Sequence, residues 1–432
     1  MEKKIEIRHG DVYCTKISSI YNEDDFFHEA YRKAAQGVRD IVEATEHFHD
    51  EVREKRPGRS SPDVVSGVTE YMHLAGYPNN IIAFCAGRGQ GKTSAMVSFS
   101  TALRQRKGDE QEQRFWGDLI KTCSFHVLDP IDPTMMNQGD SILRIIISRM
   151  FECYTNEEKK QREFRNGRPE KEPELLNGFR QCYRSLDVLQ KGRDLQDCYD
   201  DLEYLADLGD SSNLKKTFQK LVSLFLDLVI QHAVGESHQF LVIQIDDADL
   251  NAANAYRIVE ELRRYCVVPN VLILMATDFG QLELTVEQHF IEELKTLCTH
   301  KKDDKAVWDH CHKMMERYLD KLIPGTRQVH LPLIDHYIKG HENELLLKYT
   351  DGNLKVWDGD YQDLLLKMIY QKTGLILVKP TGYLHNLLPK TMRELTHLLA
   401  FLSELEELDF ENCALLKLIQ MWQKTSKNRS LF

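Results

Sequence analysis

Residues Ala86 to Thr93 read Ala-Gly-Arg-Gly-Gln-Gly-Lys-Thr, three glycines at alternate positions and then a lysine and a hydroxyl. Residues of these types in this order suit one kind of chemistry, the holding of phosphate. Gly87, Gly89 and Gly91 let the backbone bend so that consecutive N–H groups, those of Arg88 and Gln90 included, face inward. The N-terminus of a following helix adds a favourable field for an anion. Lys92 is then placed to bridge the β- and γ-phosphates of a nucleotide such as ATP, Thr93 to ligate Mg²⁺ through its hydroxyl, and Ser94 to sit beside the α-phosphate. The segment IIAFCAGRGQGKTSAM places the loop between an apolar strand and a helix start, and the loop fits [AG]-x4-G-K-[ST]. That context separates it from a chance match in a Gly-containing turn. One departure is that Ala86 stands where the common motif opens with Gly, which an extended backbone at that residue tolerates.

A phosphate loop needs an acidic partner. The run FLVIQIDDADL ends with Asp246 and Asp247 at what should be the C-terminal edge of a parallel sheet, where ligands of open α/β folds bind. Asp246 would hold the Mg²⁺ shell through water, and Asp247 would polarise an attacking water, with Asp249 a third candidate. The plainer alternative is that these acids cap the next helix. A second run, VLILMATDF, brings Thr277 and Asp278 to the same edge, where they orient the lytic water or, for Asp278, cap a helix. A polar residue at that place goes with an extra strand between the loop-bearing strand and the acidic strand, and CSFHVL (123–128) is the strand expected to supply it.

The elements that position these residues are legible from hydrophobic runs. IIAFCA (81–86), CSFHVL (123–128), FLVIQI (240–245), VLILMA (271–276) and QVHLPL (328–333) each read as a strand, and helical stretches separate them. The expected fold is therefore α/β, a three-layer domain with a mainly parallel five-stranded sheet. Residues 1–77 read as a helical extension dominated by a helix from about Glu23 to Glu54. A Pro/Gly break at RPGRSSPD (56–63), a shorter helix to Leu74 and a turn at Gly76-Tyr77-Pro78 follow. The core then spans 78–334, with a helical insertion at about 133–237. That insertion contains a charged solvated stretch (156–174) and a long amphipathic helix entered from Ser211 and Ser212. Residues 335–432 read as a mostly helical lid with one extended piece, LILVKP (375–380), and final helices at 389–405 and 410–423.

Composition narrows the function. Hydrophobic residues make up 42% and charged residues 28% of the 432, which excludes a disordered or fibrous chain. The net charge of −11 argues against a general nucleic-acid binder, so nucleic acid is a secondary expectation. Ten cysteines without a CxxC pair read as reduced thiols, and no stretch has the length and apolarity of a signal peptide or membrane span, so a cytoplasmic location is expected.

The series AGRGQGKT, IDDADL, ATDF, MERYLDKLIPGTRQVHLP and LLPKTMRELTHLL resembles the KAP and STAND branches of the AAA+-like P-loop ATPases, over about residues 78–405. The resemblance implies that the helix before the fifth strand carries Arg317 and Lys321, with Arg327 close by, toward the nucleotide of a neighbouring subunit. It also implies that Arg393 swings back over the phosphates from the lid. A surface salt bridge is the alternative for these cations. The long insertion, VLDPIDPTMMNQGDSIL (127–143) and the lack of a membrane hairpin look like ATPases of bacterial antiviral systems, most of all the RADAR type, which works beside an adenosine deaminase. The resulting expectation is Mg²⁺-dependent ATP hydrolysis that drives or gates rearrangement in a ring-like homo-oligomer. Two rivals stand beside it. One is a slow-hydrolysing assembly switch, which steady-state turnover would separate. The other is a DNA-directed motor or loader, disfavoured by the lack of a basic helix-turn-helix. Cys298, His300, His310, Cys311 and His312 match no standard zinc spacing, and His47-Phe48-His49 and Trp308 read as surface or packing residues.

Overall fold

The computed structural model describes residues 2–12, 20–54, 77–105, 110–117, 123–137, 139–162, 172–191, 213–229, 238–298, 304–339, 344–352 and 354–405. The expected helix ending at Leu74, the caps at Ser211 and Ser212 and the helix over 410–423 lie outside them. In chain order the strands and α-helices are β1 (Lys3–Arg8), α1 (His28–Glu54), β2 (Ile81–Cys85), α2 (Lys92–Arg104), α3 (Glu110–Trp116), β3 (Cys123–Val127), α4 (Ile142–Arg162), α5 (Glu172–Lys191), α6 (Leu214–Val229) and β4 (His238–Ile245). They continue as α7 (Ala252–Glu261), β5 (Val271–Thr277), α8 (Phe279–Cys298), α9 (Asp304–Leu322), β6 (Gln328–His330), α10 (Ile334–Lys339), β7 (Leu345–Thr350), β8 (Val356–Asp360), α11 (Tyr361–Thr373) and α12 (Met392–Glu404). By contacts the chain divides into two units, one of Met1–Tyr31, Ala86–Ser98 and His330–Phe432, the other of Arg32–Cys85 and Phe99–Val329.

The second unit is built on a five-stranded parallel sheet in the order β3-β4-β5-β2-β6. Every residue of β2 and β5, and all of β4 after His238, is buried. Such strands are covered on both faces, which is why they read as continuous apolar runs and not as alternating ones. The extra strand between β2 and β4 is β5, which corrects the expectation that CSFHVL fills that place; the latter forms β3, at the sheet edge beside β4. The cause is visible in the residues. Ser124 and His126 leave β3 only partly buried, whereas VLILMAT offers seven residues that tolerate burial, and the central slot goes to the strand that is apolar on both sides. The insertion is helical where it is described. Its α4, α5 and α6 share one core with the sheet and with α7, α8 and α9, through Ile146, Met150, Leu175, Phe218, Phe225 and Ile243 among others.

At its C-terminal end α7 widens into a π-turn over Leu262–Cys266. Two consecutive arginines, three and four residues on, reach back onto Glu260, which accepts from Arg263 at 2.7 and 2.8 Å and also from Arg264, while the Tyr318 hydroxyl of α9 donates to it at 2.7 Å. Burial alone would raise the Glu260 pKa. The hydrogen bonds from Arg263, Tyr318 and Arg264 outweigh it and hold the group at about 2, from an ordinary 4.5. A depressed carboxylate pKa contributes stability that is fully present above the ordinary value and lost as pH falls through the folded one. Glu260→Gln is therefore expected to cost about 2–3 kcal/mol at pH 7 in urea unfolding, with the gap to wild type closing between pH 4.5 and 2.

The first unit carries a second sheet, β1-β7-β8, in which β1 runs parallel to β7 (Lys3↔Leu345 through Arg8↔Thr350) and β8 antiparallel to it. Ile5, Ile7, Leu345, Leu347 and Tyr349 face its core, with Tyr361, Leu365, Leu395 and Leu398 from α11 and α12 also buried. The extreme N-terminus is thus a strand and the C-terminal region has strands at 345–350 and 356–360, while the expected extended piece over 375–380 pairs with no strand. Helix α1 starts at His28 rather than near Glu23, because backbone of the preceding residues is used elsewhere: Asp24 accepts from Lys4 N–H and Phe26 N–H donates to Lys4. No described helix is long and apolar enough to cross a membrane.

Candidate functional site

Strand β2 ends at Cys85, paired in register with Thr277 at the end of β5, and the glycine-rich segment leaves the sheet at that edge. Gly89 and Gly91 have φ of 81° and 93°, the left-handed region that glycine enters without steric cost. With Gln90 between them they form a concave stretch of backbone, and Lys92, which is buried, opens α2. Two amides of the loop are already used: Gly87 N–H donates to the Gln90 side-chain oxygen at 2.7 Å, and Gln90 N–H to Gly87 C=O at a longer 3.4 Å. Ala86 is half-buried and continues directly from the extended backbone of β2.

The loop is also tied to the C-terminal region of its own unit. Arg393 N–H donates to Gly89 C=O at 2.9 Å, so a backbone donor from the first turn of α12 reaches the loop. That turn is fixed by a capping box, in which Thr391 accepts from Glu394 N–H and the Glu394 carboxylate accepts from Thr391 N–H. The Arg393 side chain is exposed. A Cβ on Gly89 would stand 3.1 Å from the Arg393 Cβ. Gly89→Ala is accordingly expected to lose about 1–2 kcal/mol in urea unfolding from its left-handed backbone alone. Gly359→Ala, with nothing within 4 Å of its added Cβ, should stay within about 0.5 kcal/mol of wild type.

At the C-terminal edge of the parallel sheet, the turn after β4 carries the acids. Asp246 and Asp247 are half-buried and Asp249 is 1% exposed. Asp246 N–H donates to Ile131 C=O at 2.9 Å, and Asp249 Oδ1 accepts from Asp278 N–H at 2.8 Å, which joins the ends of β4 and β5. Asp247 has φ of 47°, a left-handed conformation that aspartate and asparagine adopt more readily than other non-glycine residues. None of the three acids is the cap of α7; its N-cap is Asn251. Asp278 lies at the start of α8, and its carboxylate is 3.4 Å from Gln281 N–H, a long contact of the capping kind.

Thr277 is fully buried, and its hydroxyl has no hydrogen-bond partner among the described residues. A buried hydroxyl without a partner costs about 1–3 kcal/mol, so it fits a water or a ligand atom at the sheet edge. Beneath this edge lies a further polar contact. Ser100 of α2 donates to Gln244 Oε1 at 2.7 Å, and Gln244 Nε2 donates to Leu128 C=O at 3.0 Å, which links the helix after the glycine-rich loop to the acidic strand. The lone Gln in the apolar run FLVIQI was the available signal.

Arg317 and Lys321 lie exposed on α9, and neither side chain has an ion pair or hydrogen bond among the described residues. The surface salt-bridge alternative thus finds no partner here. Arg327 is different: it is 8% exposed beside Asp40 and Tyr77, and burial pushes its guanidinium below the ordinary range. Cys311 lies in the core while His310 and His312 are exposed, and His312 pairs with Glu287 at 3.1 Å. Among the described residues no group of three or more His, Cys, Asp or Glu is arranged to hold a metal ion. Mg²⁺ at a triphosphate asks less than that of a protein, since it takes most of its oxygens from phosphate and water and one or two from side chains. The Thr93 hydroxyl is an oxygen of that kind. In comparison with known proteins, no family model matches the chain and no curated protein is significantly similar to it.

Proposed function

We propose that the chain is a Mg²⁺-dependent P-loop ATPase, with a three-layer core over 78–334 and a lid over 335–432. The observation that carries this reading is the loop itself: a strand of a parallel sheet, two left-handed glycines, then a buried lysine at the first residue of a helix. The loop amides and the field of α2 hold the phosphates, and Lys92 neutralises the β- and γ-phosphates. Mg²⁺, when bound, supplies charge stabilisation at the transferring phosphoryl group. Thr93 and Asp246 hold it, Asp247 accepts a proton from the attacking water, and the unpartnered Thr277 hydroxyl, with Asp278, positions that water. An added strand, β5, between the loop strand and the acidic strand supports the AAA+-like reading. The exposed Arg317 and Lys321, unpaired among the described residues, support a ring-like homo-oligomer in which a cation reaches a neighbour's γ-phosphate. A setting in bacterial antiviral defence, beside an effector such as an adenosine deaminase, rests on the resemblance of the sequence alone.

Phosphate release from ATP, followed with Mg²⁺ and then with a chelator, tests the proposal. Turnover that requires the metal supports it. ATP-induced assembly without any turnover would favour the switch reading, and neither turnover nor assembly would remove both.

A further inference from the structure

Away from the sheet edge, β3 and α4 hold a cysteine and a histidine in contact. His126 Nε2 lies 3.2 Å from Cys153 Sγ, within hydrogen-bond reach for sulfur. The imidazole is set by its strand and by the edge-on ring of Phe225, with centroids 5.6 Å apart. Cys153 is half-buried, whereas Cys85, Cys123, Cys182, Cys266 and Cys311 are buried. Burial raises the pKa of two of these buried thiols, Cys182 and Cys266, the former to about 12. Cys85 Sγ donates to Ala83 C=O at 3.4 Å. A histidine beside a partly accessible thiol is the arrangement that makes a cysteine nucleophilic.

We propose that Cys153 is a reactive thiol with His126 as its proton acceptor, and that hydrogen peroxide oxidises it to the sulfenic acid ahead of the other described cysteines. The Cys153 proton passes to His126 Nε2, and the thiolate sulfur attacks one peroxide oxygen. The S–O bond forms as the O–O bond breaks, and the departing hydroxide takes the proton from the imidazolium and leaves as water. Sulfur loses two electrons and the peroxide gains them, which gives Cys–SOH, water and a neutral histidine.

The test uses the full-length protein. After brief peroxide treatment, sulfenic acid is trapped with dimedone and mapped by mass spectrometry. Separately, the rate of Cys153 alkylation by iodoacetamide at pH 7 is compared with that of N-acetylcysteine. An ordinary thiol is only about 3% thiolate at pH 7, and the nucleophilicity lost as a thiolate is stabilised trims the gain, so an excess of about three- to tenfold is expected. His126→Gln should remove that excess and the dimedone adduct while the thermal melt is kept. Alkylation of wild-type Cys153 no faster than the free thiol, or an unchanged rate in His126→Gln, would overturn the proposal. If the variant fails to fold, the wild-type rate decides.

Discussion

Lys92→Ala is expected to weaken ATP binding by roughly 30- to 150-fold, the equivalent of about 2–3 kcal/mol for a lost charge-assisted contact. The lysine is buried at the first residue of α2, where its ammonium adds a positive charge to the loop's amides and hydroxyls. Truncation leaves the glycine backbone and the helix N-terminus in place, so the residual affinity measures what these contribute alone. Titration calorimetry with ATP and Mg²⁺ reads the change directly. A variant that binds as tightly as wild type would remove the loop from the nucleotide site. Thermal unfolding without nucleotide, expected to change little, separates this effect from misfolding.

The second large effect concerns the chemical step. Asp247→Asn should lower the turnover number by about 10²–10⁴-fold and leave ATP affinity within about threefold, since under the proposed function it removes the general base and keeps the phosphate contacts. Asparagine is the apt replacement because it tolerates the left-handed backbone found at Asp247, which a β-branched residue would not. Asp246→Ala should differ in kind, with turnover lost and the Mg²⁺ requirement raised at the same time. Single-turnover phosphate release across a Mg²⁺ series distinguishes the two. Equal turnover in Asp247→Asn and wild type would mean that another group, such as Asp249 two residues on, takes the proton.

Much of the parallel sheet was legible in the sequence for a physical reason. Strands buried on both faces must be almost wholly apolar, and IIAFC, FLVIQI and VLILMAT are, with Gln244 and Thr277 the two polar exceptions. The place of β3 was not legible, because run length and hydrophobicity say little about which neighbour a strand chooses; Ser124 and His126 were the hint that it would end at an edge. The β1-β7-β8 sheet was missed although KKIEIR and LLLKYT both alternate in burial, as half-covered strands do. β1 and β7 are more than 300 residues apart, a pairing that no local pattern announces. Of the candidate site, the identities of the loop, the acids and Thr277 were readable from residue type and spacing. The bond from Arg393 N–H to Gly89 C=O, the Asp249 to Asp278 tie and the Ser100–Gln244–Leu128 link were not, since each depends on tertiary contact.

The central claim is that the backbone from Ala86 to Ser94 closes on a triphosphate. Amide hydrogen exchange with and without saturating ATP and Mg²⁺ tests it most directly, since bound phosphate protects the N–H groups that hold it. Slowed exchange is expected, concentrated in peptides covering residues 86–94 and largely lost in Lys92→Ala at the same nucleotide concentration. Unchanged exchange across that segment, at an ATP concentration where binding is measured by other means, would contradict it.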